Sequence, residues 1–548
     1  MTTNSGASTV PPAPYRSQVE PGRDGFPQLV RSEWTKLRTV RGWMIGMAVA
    51  GLITMLFGIL GPLGSGAACN SSNPHGCSAI QPPTLGPDGE PVTDELSFVH
   101  KDVSGDGTIT ARLDSMTGYY APANGPADSL ADLSKSLDPW ARAGIIVKAG
   151  TTPGAPYVAV VATGANGVRM ESNFTTSTQA SQGAATGSAI SSATPQWLRL
   201  SRTGDSFTGY ESSDGVHWTA IGTETVAGIP SSAQAGMLAS TPDHGSTTYL
   251  FGGSSVDSSS ALLVAQFDDV AFTGDWSGGA FAAPPTLNQD NGPAPGAALF
   301  QDTYTQTGDT FSVTGTGDIA PAIAAASDDT KTIEDGLIGT FAGLIALIVV
   351  ATMFIASEYR SGLIRTTLSA TPRRGAVLAA KSLVIGTVTF AVGLVAAGIA
   401  VPLVKSMETG DGIFVLPTST ATELRVIVGT ALLLALVAVF ATAVGTLLRR
   451  GAGAVALVIA LVILPYVLAV ASVLPAGTSQ WLLRLTPAAG FAVQQSLQEY
   501  PDYAQVTSAY VPAAGYYPLS PWAGLAVTFA FTAAALGLAA YVLRRRDA

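Results

Sequence analysis

Between two charge-free apolar runs lies a basic stretch, Ser357–Lys381, SEYRSGLIRTTLSATPRRGAVLAAK. A chain that leaves a membrane, makes a short basic turn and re-enters reads this way. Glu358 can pair locally with Arg360 or Arg365. Little else in the chain suggests bond-breaking chemistry. No G-x-x-x-x-G-K-[ST] phosphate loop occurs, and there is no obvious nucleophile–base pair. A glycosidase would need two opposed carboxylates about 5–10 Å apart in a cleft. Acidic residues abound between Ser65 and Asp335, but Asp106, Asp205 and Asp214 stand at turn positions, and turn chemistry accounts for them. The only cysteines, Cys69 and Cys77, follow the first apolar run. In an oxidising compartment a disulfide is the natural reading, and closing so short a ring contributes about 2–3 kcal/mol. A metal site would need more ligands than His75 adds, so no metal is expected. The turn from Asp102 to Gly107 lacks full calcium-loop spacing. Tyr210 and Trp218 are the candidates for stacking on a sugar, with sandwich-core positions as the alternative.

The elements that hold these residues follow from composition. Only 12% of the 548 residues are charged, against about 25% in an ordinary soluble domain. Six apolar runs approach spanning length: 43–63, 336–356, 377–401, 424–447, 452–474 and 522–543. About 20 residues cross the hydrocarbon core of a bilayer. Lys381 stands near the start of the third run, where its long side chain can snorkel to the interface. Pro465 can kink the fifth. No charged residue lies deep in any run, which argues against proton- or ion-coupled carriage.

Residues 64–335 are a different kind of polypeptide. Ser65–Asp335 holds 28 of the 38 acidic residues and 9 of the 28 basic ones. Basic residues instead cluster before the first run, after the second, after the fourth and after the sixth. Six spans put all these clusters on one side. The positive-inside rule then predicts both termini in the cytoplasm and residues 64–335 outside. Arg373 and Arg374 read as topology determinants. Residues 1–26 form a polar cytoplasmic tail of disordered composition, and 544–548 a second tail. Segment 27–42 reads as an interfacial elbow helix: Val30, Trp34, Leu37 and Val40 share one face, Arg31, Arg38 and Arg41 flank it, and Lys36 lies beyond it. The outer loop 475–521 contains TPAAGFAVQQSLQ, which suggests re-entrant or interfacial helices.

From about Glu95 to Trp276, short alternating runs are punctuated by Gly, Asp and Pro. This predicts an antiparallel β-sandwich between spans 1 and 2, and so a mixed fold class. Gly204–Asp205 and Ser213–Gly215 mark two successive hairpin turns. Residues 300–321 read as a further strand pair. AGIIVK at Ala143–Lys148, RTGDSFTGYESSDGVHWT at Arg202–Thr219 and FDDVAF at Phe267–Phe272 resemble a concanavalin A-like, laminin-G-type jelly roll. Such folds often bind carbohydrate, so the resemblance implies a glycan, cell-wall component or partner protein as ligand.

The membrane portion resembles the type-2 ABC transporter permease family. RSEWTKLRTVRGW at Arg31–Trp43 is similar to the family's basic elbow. FIASEYRSGLIRTTLSATPRRGAVLAAK at Phe354–Lys381 is similar to its E-Y-R-x-G-x-x-R-x-x-L loop, followed by P-R-R and a lysine entering the third span. The resemblance implies a half-transporter in the cell membrane, an exporter, paired with a second permease copy. It needs no cofactor of its own, ATP and Mg²⁺ belonging to a separate P-loop ATPase subunit. No nucleic-acid partner is implied. The cytoplasmic loop 357–376 would then couple to the ATPase through a helix near Gly362–Ser369. Glu358, Tyr359, Arg360, Gly362, Arg365 and Leu368 would form that contact. The alternative is a membrane-anchored binding or sensory protein without transport.

Overall fold

The computed structural model describes residues 25–68, 83–121, 129–180, 187–250, 253–282, 299–322, 330–370, 373–410, 413–471, 473–500, 512 and 515–545. The cysteine pair Cys69 and Cys77 lies outside the described residues.

Among the described residues, six helices are long and apolar enough to cross a membrane: Arg41–Leu60, Ile333–Ser361, Arg374–Gly410, Thr420–Leu448, Gly451–Val470 and Pro521–Arg545. A seventh, amphipathic helix precedes them. It is α1, Phe26–Thr39, with a proline in its first turn, where the missing N–H costs nothing. The first spanning helix, α2, is Arg41–Ala68. The second, α3 (Thr340–Ser361), is entered through a single 3₁₀ turn, Ile333–Leu337. A reciprocal cap by Thr332 and Asp335 satisfies that turn's first N–H groups. Gly362, at φ +73°, ends α3 in the left-handed conformation and releases the chain into α4, Leu363–Ala370.

The third span, α5 (Arg374–Gly410), outruns its apolar stretch at both ends, because helix geometry continues into the polar interface. Then follow α6 (Thr420–Leu448), whose N-cap Ser419 accepts from Thr422 N–H, and α7 (Gly451–Val458). The π-helical turn Ile459–Ile463 separates α7 from α8, Leu464–Val470, and Pro465 stands in the first turn of α8. After α9 (Ala476–Leu485), the 3₁₀ segment Pro487–Gln494 is buried along its whole length. It packs between α6 and the last helix, α10, Pro521–Arg545. Close backbone approach explains a glycine there. A Cβ on Gly524 would stand 2.2 Å from the Ala489 carbonyl oxygen.

Between α2 and α3 lies the strand-rich region. Among the described residues it holds an eight-stranded and a six-stranded antiparallel sheet. The larger runs Thr219–Thr225, Ser206–Ser212, Gln196–Thr203, Gly107–Tyr120, Ala261–Gly274, Thr310–Gly315, Thr303–Thr307, with Ser134–Lys135 paired to Gly107–Tyr120. The smaller runs Ser97–Ser104, Ser232–Ser240, Arg142–Lys148, Tyr157–Thr163, Val168–Ser172, Thr176–Gln179. The two share one apolar core: Leu198, Leu200, Phe207 and Phe267 from one sheet meet Ile145, Val147, Val160 and Met237 from the other. Alternation does the sorting. Leu198 and Leu200 are fully buried, whereas Arg199 between them is not. The expected meander forms about Gly204–Asp205, and the pair within residues 300–321 joins the larger sheet through Leu263↔Gly315 and Phe267↔Phe311.

Two ion groups sit inside this region. Lys148 pairs with Asp94, whose Oδ2 also accepts from Gly154 N–H at 2.7 Å. Arg142, completely buried, reaches Glu171 at 3.1 Å and also Asp318.

Candidate functional site

The basic end of the bundle is built on α1. Its inward face is Val30, Glu33 and Leu37, with Leu37 fully buried against the spans. Trp34 is 41% exposed, one step round the helix. Arg38 and Arg41 point outward. Lys36, expected beyond the packed face, turns in. Its Nζ lies 2.7 Å from Glu33 Oε1 and 3.3 Å from Glu358 Oε1. Lys381 approaches from α5, with Nζ 2.6 Å from Glu33 Oε2 and 2.9 Å from Glu358 Oε1. The Phe354 ring lies 4.2 Å beneath that ammonium.

Two carboxylates and two ammonium groups therefore form a charge-balanced knot that ties α1, the end of α3 and the start of α5. Lys381 is 1% exposed, so it does not snorkel to an interface. It sits in dry protein, where each charge needs its partner. Lys36 remains partly open. Burial lowers its pKa, but the hydrogen bond to Glu33 and the charge of Glu358 outweigh this and hold the ammonium above the ordinary lysine range.

These positions correct one expectation. Glu358, read as a contact residue and as a local partner of Arg360 or Arg365, is 6% exposed and faces the knot. Glu33 was not singled out by sequence reasoning. Its signal was available: it is the lone carboxylate in a basic segment, three residues before Lys36.

The rest of the loop remains outward. Gly362 makes the turn, and Arg360 is exposed. On α4, Ile364 is buried among Ile355, Val377, Leu29 and Tyr359, which pins the helix to the bundle. Leu363, its neighbour, is 57% exposed. Arg365 and Leu368 lie on α4, with their backbone alone described. We expect Gly362→Ala to cost about 1 kcal/mol by backbone strain. No atom lies within 4 Å of the added Cβ, so clash contributes nothing. Thermal unfolding would check this, and Gly362→Asn should lose less, because asparagine tolerates the left-handed region.

A cleft of about 1030 Å³ opens beside this turn. Tyr359, Arg360, Arg449, Arg450 and Trp43 line it, over an apolar floor that includes Met353 and Ala356.

In the strand-rich region, Trp218 and Tyr210 are both half-buried on the outer face of the larger sheet, not core residues. One face of Trp218 is taken by the Arg199 guanidinium, 3.7 Å from the ring centroid. Asp214 serves its turn. Its carboxylate accepts from Val216 and His217 N–H and from the His217 ring, which hold its pKa well below the usual range. Asp106 accepts from Gly204 N–H at 2.7 Å. Among the described residues, no group of three or more His, Cys, Asp or Glu could hold a metal ion.

The pattern of an amphipathic elbow, a short loop helix and six spans has a counterpart among known families. The model for the ABC-2 family of transporter proteins matches residues 154–548. The chain belongs to this family. The match takes in most of the strand-rich region as well as five spans, and begins after α1 and α2. The ABC-2 family is the membrane component of an ABC transporter, which works with an ATP-binding subunit, so this chain is a multi-pass membrane protein and a permease. No curated protein matches it. Three solved structures show slight likeness. SCP-B, a member of the Eqolisin family of peptidases in complex with the tripeptide Ala-Ile-His, is 10% identical, covering 40% of this chain and 98% of its own, at a TM-score of 0.24. Scytalido-glutamic peptidase with a transition-state analogue inhibitor is 12% identical, with 40% and 98% covered, at 0.25. A functionally unknown protein from Saccharomyces cerevisiae is 11% identical, with 32% and 71% covered, at 0.18. Likeness this slight transfers neither fold nor chemistry.

Proposed function

We propose that the chain is the permease half of an ATP-driven exporter, with its basic end and both termini in the cytoplasm and the strand-rich region outside. The separate ATPase subunit binds ATP and Mg²⁺ and docks on α4. The knot of Glu33, Lys36, Glu358 and Lys381 carries this reading. It locks the elbow and the roots of the second and third spans into one body at the foot of α4. A push on α4 then moves two spans together, as a rigid-body mechanism requires. Exposed Leu363 gives α4 an apolar contact for a partner groove, and Arg365 and Leu368 belong to the same short helix. Glu358 acts from inside, by fixing the angle at which α3 delivers that helix.

A second permease copy completes the assembly in the bilayer. Met44, Ile45, Val49 and Leu52 present an exposed apolar stripe on α2 to lipid or to that copy. The outer region folds as a jelly-roll sandwich and captures a glycan, a cell-wall component or a partner protein. Trp218 contributes its other ring face, since Arg199 covers one face and the ring N–H is held by the Gly215 carbonyl.

The test is capture of a P-loop ATPase subunit, sought among the neighbouring reading frames, by the tagged permease in mild detergent. Leu363→Asp with Arg365→Ala should weaken capture about tenfold at unchanged thermal stability. Glu358→Ala should weaken capture and stability together. A well-folded permease that captures no ATPase would reject docking and favour a binding or sensory role.

A further inference from the structure

The cleft beside the loop turn is electrically unbalanced. Arg360, Arg449 and Arg450 line it, and among the described residues it has no carboxylate lining. Glu358, the nearest acid in sequence, is not among the lining; its Oε1 accepts from Lys36 and Lys381, and its Oε2 is buried without a partner among the described residues. Two polar atoms are buried there without a hydrogen-bond partner among the described residues: Arg449 Nε and Tyr359 Oη. Buried donors normally find acceptors, so this pair is an open demand for one. The Arg449 guanidinium stands 5.4 Å from the Tyr359 ring centroid, and both residues line the cleft.

The backbone adds a second observation. Arg449 closes α6 at φ +54°, in the left-handed region. Glycine is the unstrained residue for that cap, asparagine is tolerated, and a bulkier L-residue there costs about 1 kcal/mol. A bulky cation occupies it instead, so its side chain is aimed at the cost of strain. The first turn of α7, Gly451 and Ala452, also lines the cleft, and its N-cap Arg450 makes no side-chain cap. Its first N–H groups add positive potential. The lining also holds apolar Trp43, Met353, Ala356 and Ile364, with Ser357 and Ser361 among them.

We propose that this cleft binds the phosphate of an anionic amphiphile. Arg449, Arg450 and Arg360 hold the phosphate oxygens, and Tyr359 donates its hydroxyl. Trp43 and Met353 pack on the first methylenes of the chain. Guanidinium suits this task because its planar donors meet phosphate oxygens in pairs. The volume, about 1030 Å³, takes a headgroup and the first part of its tails. A zwitterionic headgroup brings an ammonium that this lining repels. The inference deepens the exporter reading by giving its substrate class, and it needs the basic end to face the inner leaflet.

The test is native mass spectrometry of the full-length chain in detergent, with phosphatidylglycerol or phosphatidylcholine added. Wild type should retain phosphatidylglycerol about tenfold more strongly than phosphatidylcholine. Arg449→Gly and Arg449→Gly/Arg450→Ser should lose that preference. Glycine keeps the cap conformation, so melting should hold or rise, and loss of binding then cannot be misfolding. Equal retention of both lipids by wild type, or undiminished phosphatidylglycerol on the double variant, overturns the proposal. So does loss of ATPase capture with lipid binding intact, which would make the cleft part of the docking surface.

A second arm separates the two sources of such a phosphate. Headgroup-labelled phosphatidylglycerol that leaves the permease when the ATPase and ATP are added is cargo. Label that stays is a resident membrane lipid, which keeps the site and removes it from the transport path. Lipid binding is read on the permease alone and docking by capture, so either can fail without the other.

Discussion

Lys381→Met should destabilise the membrane domain by roughly 3–5 kcal/mol and abolish ATPase capture. The side chain is of similar length, so packing barely changes. The charge count does change. Glu33 and Glu358, both buried, would face each other with Lys36 alone between them. Lys36 is 38% exposed at its side chain and cannot bring a second ammonium into the dry centre. The measurement is thermal unfolding in detergent, read together with capture. Glu358→Gln added to Lys381→Met should recover most of the loss, because Glu33 and Lys36 then remain as a neutral pair. A double variant as unstable as the two single losses combined would show that the knot is not an electrostatic unit. Recovery of stability without recovery of capture would locate the coupling role in the charges themselves.

That knot also marks where local sequence patterns stop informing. The six spans were legible because a run of about 20 apolar residues has few other fates. Their ends were not, since helix geometry continues past the hydrocarbon, as Arg374 to Gly410 does around the run 377–401. The meander at Gly204–Asp205 was legible because turn residues and alternation are local signals. The order of strands in the larger sheet was not, because Gly107–Tyr120 pairs with Ala261–Gly274 across many intervening strands of both sheets. The face of α1 was read from periodicity, yet period alone could not tell the bundle side from the lipid side. Leu37 is buried and Trp34 exposed within one apolar stripe. Glu33 depends on Lys381, 348 residues away, and Lys36 on Glu358, 322 away. No spacing rule connects such pairs. Arg449 was read as a topology charge, and only the helix cap that strains it gives it a direction.

Arg142→Gln should cost the strand-rich region roughly 3–5 kcal/mol near neutral pH and clearly less near pH 5. Arg142 is one guanidinium facing two buried carboxylates, Glu171 and Asp318. Burial pushes the Asp318 carboxyl up to about 6, against the pull of Arg142 and helped by the charge of Glu171. Its pKa in the unfolded chain is near 3.8, so between these values the folded state holds more proton. The contribution of Asp318 to stability is therefore complete below about pH 4 and is lost as pH rises through about 6. Removing Arg142 takes away the group that favours the charged form, which raises the Asp318 carboxyl further. At neutral pH the variant must either bury unpaired charge or bind protons from dilute solution. Near pH 5 protons are plentiful, and the penalty shrinks. The check is unfolding of the full-length protein at pH 5 and pH 7.5, with Asp318→Asn as reference. Asp318→Asn should flatten the pH dependence of the otherwise wild-type chain. An equal loss for Arg142→Gln at both pH values would mean that packing of the arginine, not its charge, carries its contribution.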